Sequence, residues 1–173
     1  MKGVIVICLH ELVKDKFGQD KWELTLQKSG IDPNKAFTAG QDVDDAIIFK
    51  VLGTLCEVLN ISLQQAFDAF GEYWVNVFAP KVYKAYYQGV KSSRDFLLKM
   101  DKIHETTTCR IEGACPPRFG YEWKNDKTLI MNYSSQRKLI DLLVSLIKGV
   151  GTYFKEDIKV RKVNETQVEV IFP

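Results

Sequence analysis

The stretch FGYEWKNDKTLIMNY, residues 119–133, decides the fold. Its two ends, 119–123 and 128–133, are rich in aromatic and branched residues, which favour strands. Asn125 and Asp126 between them are typical turn residues, so the stretch predicts an antiparallel pair of strands. Residues 136–154 then have apolar side chains at helical spacing, and 158–163 and 167–172 predict two more strands. This order favours one four-stranded antiparallel sheet.

Helices are predicted through the chain before this stretch. In the first helix Ile5, Leu9 and Leu12 follow helical spacing up to Gly18. Further helices are expected at 22–26, at 46–59 with Asp42 as N-cap, at 63–80 with Ser62 and Gln65 as a capping box, at 82–87, and at 93–104. We therefore expect an α+β fold in a single domain, residues 1–173. A helical N-terminal lobe would pack on a C-terminal lobe that holds the sheet, with their junction near Arg110.

Composition and charge exclude several classes of protein. The chain has 173 residues and is 46% hydrophobic, which is too apolar for a disordered protein. Its net charge is 24 − 22 = +2, which gives no support for nucleic-acid binding. No segment approaches the roughly 18 apolar residues of a membrane span, and no signal-peptide cleavage site follows the N-terminal apolar run. We expect a cytoplasmic protein with no membrane partner.

The histidines are too few for a multi-histidine metal cluster, and the cysteine spacing gives no support for a zinc or thioredoxin-type site. There are 2 His and 4 Cys, and no pair of cysteines has CxxC spacing. Cys109 and Cys115 could form a disulfide or a redox pair, and the sequence leaves this open. No phosphate loop, carboxylate dyad or nucleophile–base motif stands out, so we do not expect an enzyme.

His104 is the first residue that could carry chemistry. It follows Leu97 and Met100 at spacings that share one helix face. Burial favours neutral imidazole, which is a good ligand for haem iron. A core histidine bonded to a carbonyl group would explain the same position.

Tyr133, Ser135 and Arg137 alternate at the end of a predicted strand, where alternate side chains point to one side. Two hydroxyls and a guanidinium suit a ligand with paired carboxylates, such as haem propionates. A strand end followed by a serine cap and a surface arginine is the simpler interpretation. Pro116-Pro117 forms a rigid bend without backbone donors, suited either to a loop or to contact with a flat ligand.

His104, Pro116-Pro117 and the triplet Tyr133-x-Ser135-x-Arg137, in this order and spacing, resemble the H-NOX family. These are haem nitric oxide/oxygen binding domains related to the sensor domain of soluble guanylate cyclase. The resemblance covers nearly the whole chain, through AFGEYW at 69–74 and MDKIH at 100–104.

The resemblance implies haem b between the two lobes. His104 would be the proximal iron ligand, and Tyr133, Ser135 and Arg137 would clamp the propionates. Pro117 would press on the porphyrin and distort it, and Ile5 would shape the haem from the distal side.

The distal pocket departs from that of oxygen-binding members, which carry a tyrosine supported by a tryptophan and an asparagine. The corresponding positions here are Leu142, Leu9 and Trp74, and Phe78 and Leu146 are further apolar residues of the pocket. A donor stabilises bound oxygen by roughly 1.5–3 kcal/mol, whereas nitric oxide and carbon monoxide bind without one. The expectation is a nitric oxide sensor that also binds carbon monoxide and excludes oxygen. An oxygen sensor or carrier that uses Trp74 is the alternative.

The resemblance also implies how the signal leaves the domain. Nitric oxide weakens the bond between iron and His104, the haem flattens against Pro117, and the helix of His104 shifts against the sheet lobe. The chain has no kinase or cyclase segment, so a separate protein is expected to respond, most often a histidine kinase or a cyclic-di-GMP enzyme in bacterial stand-alone domains of this type. An interaction or redox module without haem is a further alternative.

Overall fold

The computed structural model describes residues 1–109, 111 and 113–173. The chain divides into two compact units, Met1–Ala66 and Phe67–Pro173. The junction predicted near Arg110 falls on a residue outside the described part.

The first unit contains three complete helices, α1 (Gly3–Phe17), α2 (Gln19–Lys28) and α3 (Asp45–Leu59), and the start of α4 (Leu63–Tyr73). The predicted helix ending near Gly18 is confirmed by α1. The N-cap of α3 is Asp44, whose carboxylate accepts from the Ala46 amide at 2.8 Å, so the prediction of Asp42 was wrong. Asp42 instead pairs with the ammonium of Lys2 at 2.6 Å.

The predicted capping box at the start of α4 is confirmed. The hydroxyl oxygen of Ser62 accepts from the Gln65 amide at 3.2 Å, and the side-chain oxygen of Gln65 accepts from the Ser62 amide at 2.8 Å. These reciprocal bonds satisfy two amides that have no partner inside the helix.

The second unit continues α4 and adds several short helices before the sheet. A π-helix (Trp74–Phe78) follows α4, where an uninterrupted helix had been predicted up to Pro80. The remaining helices are α5 (Ala79–Val82), α6 (Lys84–Tyr87), α7 (Ser93–Leu98), α8 (Met100–Thr108) and α9 (Ile140–Phe154). The helix predicted over 93–104 is broken at Lys99, and α9 begins four residues later than its predicted start at Gln136.

The four-stranded antiparallel sheet is confirmed, with the order β1-β2-β4-β3. Its strands are β1 (Arg118–Asn125), β2 (Thr128–Ser134), β3 (Lys159–Asn164) and β4 (Gln167–Ile171). The side chain of Asn125 accepts from the amides of Lys127 and Thr128 and so closes the first turn. The α+β class expected from the order of elements is therefore correct.

Helix α9 and the sheet share the core of the second unit. Leu129, Met131 and Val168 of the sheet are fully buried with Ile140 and Ile147 of α9. This packing anchors β2, which carries Tyr133, and α9, and so fixes both ends of the segment between them, which carries Ser135 and Arg137.

In the described part of the chain no single helix has the length and apolar composition to cross a membrane. Only the bent pair Asp45–Leu59 with Leu63–Val82 meets both criteria together.

Candidate functional site

His104 lies on α8 with one ring nitrogen engaged. Its Nδ1 is 3.0 Å from the carbonyl oxygen of Met100, one helical turn earlier. Because a carbonyl oxygen only accepts, Nδ1 carries the proton and Nε2 has the lone pair. Among the described residues Nε2 has no hydrogen-bond partner. A histidine that donates one N–H to a carbonyl and leaves the other nitrogen free has the arrangement found in metal ligands.

The surroundings of His104 favour its neutral form. Burial lowers its pKa, and this outweighs the hydrogen bond to Met100 and the charge of Asp101, which raise it. The neutral form is the one that can bind a metal. The expectation that Leu97, Met100 and His104 share one continuous helix was wrong, because Lys99 separates α7 from α8.

Helix α8 is fastened to β1 by Asp101. Its carboxylate accepts from Nε and Nη2 of Arg118 at 2.8 and 2.7 Å and from the Phe119 amide at 2.8 Å. These bonds lower the pKa of Asp101 to about 2. The hydroxyl of Tyr121 adds a further link, since it accepts from the Asp101 amide at 3.2 Å and donates to the Leu97 carbonyl at 2.8 Å. Sequence reasoning missed Asp101, because a partner 17 residues away leaves no local pattern.

An aromatic ring connects His104 with the Tyr133 triplet. The ring of Phe119 lies 5.3 Å from the imidazole of His104 and 6.1 Å from the ring of Tyr133. Phe119 and Tyr133 are also direct partners across β1 and β2. The structure thus brings two of the predicted site residues, His104 and Tyr133, into contact with Phe119, which the sequence indicated only as part of a strand.

The triplet itself lies in a strand end and a turn. Strand β2 stops at Ser134, so the predicted alternation holds for Tyr133 but not for Ser135 and Arg137. The Tyr133 hydroxyl accepts from the Leu139 amide at 3.2 Å, and the Ser135 hydroxyl oxygen accepts from the Arg137 amide at 3.2 Å. Their hydroxyls thus face the turn that leads into α9.

Pro116-Pro117 lies between two anchored positions. On one side, Nη1 of Arg137 donates to the Cys115 carbonyl at 2.8 Å, and on the other, Arg118 is held by Asp101. Both prolines are half-buried. This proline segment is therefore tied to the triplet turn and to the helix of His104.

A cavity of 320 Å³ opens beside the Asp101–Arg118 pair. It is lined by Asp101, Arg118, Phe119, Gly120, Asn132, Tyr133, Ser134 and Thr166. Of the residues predicted from sequence, it includes only Tyr133.

The predicted distal residues occur in both units. In the first unit Ile5 and Leu9 lie one turn apart on α1, half-buried and buried respectively. In the second unit Leu142 and Leu146, both half-buried, lie one turn apart on α9.

Trp74 and Phe78 are neighbours in the second unit, at the two ends of the π-helix. The Trp74 ring lies 5.4 Å from Phe78, 5.7 Å from Phe70 and 6.3 Å from Tyr83. Within the described residues its indole N–H has no hydrogen-bond partner. Tyr83, whose pKa burial raises, was not singled out from the sequence.

All four cysteines are free thiols. Cys8 is buried, Cys56 is half-buried, and Cys109 and Cys115 are exposed. The disulfide considered for Cys109 and Cys115 is not formed.

Comparison with known proteins adds independent findings. Residues 2–162 match the family model described as Haem-NO-binding. The fold is similar to a solved structure of an oxygen-binding H-NOX domain related to soluble guanylate cyclases, in its oxygen complex, with a TM-score of 0.87, 27% identity, and coverage of 99% of this chain and 95% of that one. It is also similar to the I5F mutant of H-NOX from T. Tengcongensis (TM-score 0.87, 26% identity, coverage 99% and 97%). A structure concerned with the mechanism of H-NOX activation gives a TM-score of 0.90 at 27% identity, with coverage of 99% and 96%. No curated protein matches the chain.

Proposed function

We propose a nitric oxide sensor as the function of this chain, which belongs to the Haem-NO-binding family. Domains of this family bind haem and sense gases. The specific proposal is that the chain holds haem b, binds nitric oxide and carbon monoxide at the ferrous iron, and excludes oxygen.

The chemistry of His104 carries the proposal. Its Nδ1 donates a hydrogen bond to the Met100 carbonyl. Its Nε2 carries a lone pair that can bind a metal, and it has no hydrogen-bond partner in the described residues. This nitrogen fits the iron of a haem, which needs one protein ligand when its other side is kept for a gas. When bound, the haem supplies an iron atom to which small gases attach.

Tyr133, Ser135 and Arg137 are proposed to bind the two propionates. All three occur within five residues, from the end of β2 into the turn before α9, and a guanidinium with two hydroxyls offers a positive charge and hydrogen-bond donors to two carboxylates. Pro117 and Ile5 are proposed to contact the porphyrin and distort it. Pro117 suits this role because the proline segment is held at both ends and has no N–H of its own.

Selectivity against oxygen is proposed to come from the lack of hydrogen-bond donors on four of the proposed distal side chains. Leu9, Phe78, Leu142 and Leu146 are aliphatic or aromatic hydrocarbon side chains. Bound oxygen becomes partly anionic, and a hydrogen bond to it would contribute roughly 1.5–3 kcal/mol, about 10- to 150-fold in affinity. Nitric oxide does not need this contribution.

The output is proposed to pass through α8 to a separate protein, a histidine kinase or a cyclic-di-GMP enzyme in the cytoplasm of a bacterium. The side chains of Asp101 and Tyr121, with the amides of Asp101 and Phe119, link α8 and the end of α7 to β1 through a set of hydrogen bonds. A displacement of His104 would therefore strain these hydrogen bonds and change the position of α8 on the sheet.

One observation favours a second candidate function, oxygen binding. The indole N–H of Trp74 is without a partner among the described residues and is a hydrogen-bond donor that a bound oxygen could use. One similar structure is of an oxygen-binding H-NOX domain.

Absorption spectroscopy of the haem-loaded, reduced protein tests both candidates. A shifted spectrum with nitric oxide and with carbon monoxide, together with rapid oxidation or no change in air, supports the nitric oxide sensor. A long-lived oxygen complex in air supports the second candidate. A chain that takes up no haem from haem-replete cells or from added hemin contradicts both.

A further inference from the structure

The π-helix Trp74–Phe78 begins and ends with two proposed distal residues. The Ala79 amide donates to the Trp74 carbonyl, five residues back, as a π-helix requires. Such a turn holds one more residue than an α-turn, is rare, and often occurs at functional sites. The extra residue changes the direction in which the side chains around it point, so the turn determines how Trp74 and Phe78 are presented.

Pro80 explains why the helix changes register here. In a regular α-helix its ring would clash with the carbonyl of Asn76, and it has no N–H to donate. In the π register the carbonyl five residues before Pro80 is that of Val75. Pro80 cannot supply the backbone hydrogen bond that this carbonyl would otherwise receive.

Tyr87 supplies that missing donor from outside the π-helix. Its hydroxyl donates to the Val75 carbonyl at 3.1 Å. Its ring is held by Phe96 at 4.8 Å and by Tyr153 at 5.0 Å between centroids. Burial raises the pKa of Tyr87 well above its ordinary value, so the hydroxyl keeps its proton throughout the working pH range.

Asn76 adds a second fixed point in the π-helix. Its side-chain amide donates to the Glu72 carbonyl at 3.0 Å and to the Gly149 carbonyl at 3.1 Å. The second bond joins the π-helix to α9, the helix that bears Leu142 and Leu146. The backbone around Trp74 is thus held by side chains on both sides.

We propose that Tyr87 is a positioning residue for the gas-binding side of the site. Its hydroxyl replaces the backbone donor that Pro80 lacks and fixes the π-helix that presents Trp74 and Phe78. The consequence for gas binding rests on the proposed function, whereas the effect on the π-helix does not.

Tyr87→Phe removes the donor and keeps the ring, and Tyr153→Phe is the matched control. Tyr153 packs against the same ring, and its hydroxyl has no hydrogen bond in the described residues. The full chain is labelled with 5-fluorotryptophan, and the resonance of Trp74 is assigned with Trp74→Phe. We expect Tyr87→Phe to shift or broaden the Trp74 resonance and to leave those of Trp22 and Trp123 in place. Amides of residues 75–79 should exchange with solvent about fivefold faster, the effect of losing one hydrogen bond.

Pro80→Ala in the Tyr87→Phe background tests the cause. This second substitution restores a backbone N–H at residue 80. The Val75 carbonyl then receives a backbone donor again, from residue 80 in the π register or from Ala79 in the α register, so amide exchange should return toward the rate of the unaltered chain. If Tyr87→Phe does not fold, the double variant still tests the proposal. Folding that is restored by Pro80→Ala would show that the lost donor to the Val75 carbonyl caused the failure. An unmoved Trp74 resonance in Tyr87→Phe, or the same change in Tyr153→Phe, would overturn the proposal.

The rate of carbon monoxide release from the haem-loaded, reduced protein tests the consequence for gas binding. We expect this rate to change about two- to tenfold in Tyr87→Phe and to stay the same in Tyr153→Phe. A change of this size corresponds to the free energy of about one hydrogen bond. A shifted Trp74 resonance with an unchanged release rate would overturn the link to gas binding. A chain that binds no haem would contradict the proposed function, while the fluorine and exchange measurements would still decide the role of Tyr87.

Discussion

Asp101 of α8 and Arg118 at the start of β1 form a two-bond ion pair, with nitrogen–oxygen distances of 2.8 and 2.7 Å. Asp101 lies three residues before His104, and Arg118 directly follows Pro117. The pair therefore couples the proposed ligand helix to the proposed porphyrin contact. Any shift of α8 against the sheet must strain or break it.

Replacing Asp101 by Asn should lower stability in a pH-dependent way. The folded protein lowers the pKa of this carboxyl from 3.8 to about 2, so its contribution is complete above pH 4 and is lost as the pH falls toward 2. We expect the variant to lose about 1 kcal/mol of unfolding free energy at pH 7, a value reduced because Arg118 is half exposed. Urea unfolding at pH 7 and at about pH 2.5 measures this. An equal loss at both values would contradict the ion-pair explanation.

Replacing His104 by Gly should remove the proposed protein ligand of the haem iron. The reduced variant should lack a histidine-ligated spectrum and regain one when imidazole is added, because imidazole can fill the space and supply the nitrogen. His10→Gln is the matched control, since His10 stacks on Trp22 and bonds to Gln19 in α2. A spectrum that is unchanged in the glycine variant would remove His104 from its role.

Replacing Arg137 by Ala should speed the loss of haem to apomyoglobin about tenfold, since a charge-assisted hydrogen bond is worth about 1.5–3 kcal/mol. Arg94→Ala is the control, because the Arg94 guanidinium lies over the rings of Trp123 and Phe172 and has no proposed part in haem binding. Equal rates in the two variants would argue against a propionate contact at Arg137.

Replacing Leu142 by Tyr should create an oxygen complex that is long-lived in air. The tyrosine adds a donor on α9 where the present side chain has none, and the gain should be about tenfold or more in oxygen affinity. Leu142→Phe adds the ring without the hydroxyl and should not do so. Oxygen binding by both variants would show that pocket size, not hydrogen bonding, sets selectivity.

Two glycine substitutions should change stability in opposite directions. A Cβ at Gly71 would lie 2.6 Å from the backbone of Ser145 on α9, so Gly71→Ala should cost about 1–3 kcal/mol through overpacking. A Cβ at Gly53 on α3 would meet nothing within 4 Å, so Gly53→Ala should stabilise the protein by about 0.5–1 kcal/mol through helix propensity. Thermal unfolding compares the two, and a stabilised Gly71→Ala variant would refute the close approach of α4 and α9.

Local patterns predicted the elements that depend on local bonds. The Ser62–Gln65 capping box and the turn at Asn125 are formed by residues two or three apart, and both could be predicted from those residues. The sheet followed from the composition of its strands, the turn residues between them and the order of the elements.

The features missed from the sequence depend on distant partners. Asp101 gains its role from Arg118, and Phe119 from rings on α8 and β2, so neither left a periodic signal. The π-helix had one local signal, Pro80, but the donor to Val75 comes from Tyr87, seven residues beyond it. The start of α9 was placed four residues early because Ser135 forms a hydrogen bond with the Arg137 amide that keeps this segment in a turn.

The strand order β1-β2-β4-β3 also bears on how the molecule assembles. It joins two hairpins, and the pairing of β2 with β4 in the middle must wait for the 15-residue helix α9 between them. Short hairpins close within microseconds, while contacts distant in sequence form more slowly. Phe119 and Tyr133 face each other within the first hairpin. During synthesis, this part of the wall of the cavity beside Asp101 can therefore take shape before the ribosome has delivered the rest of the sheet.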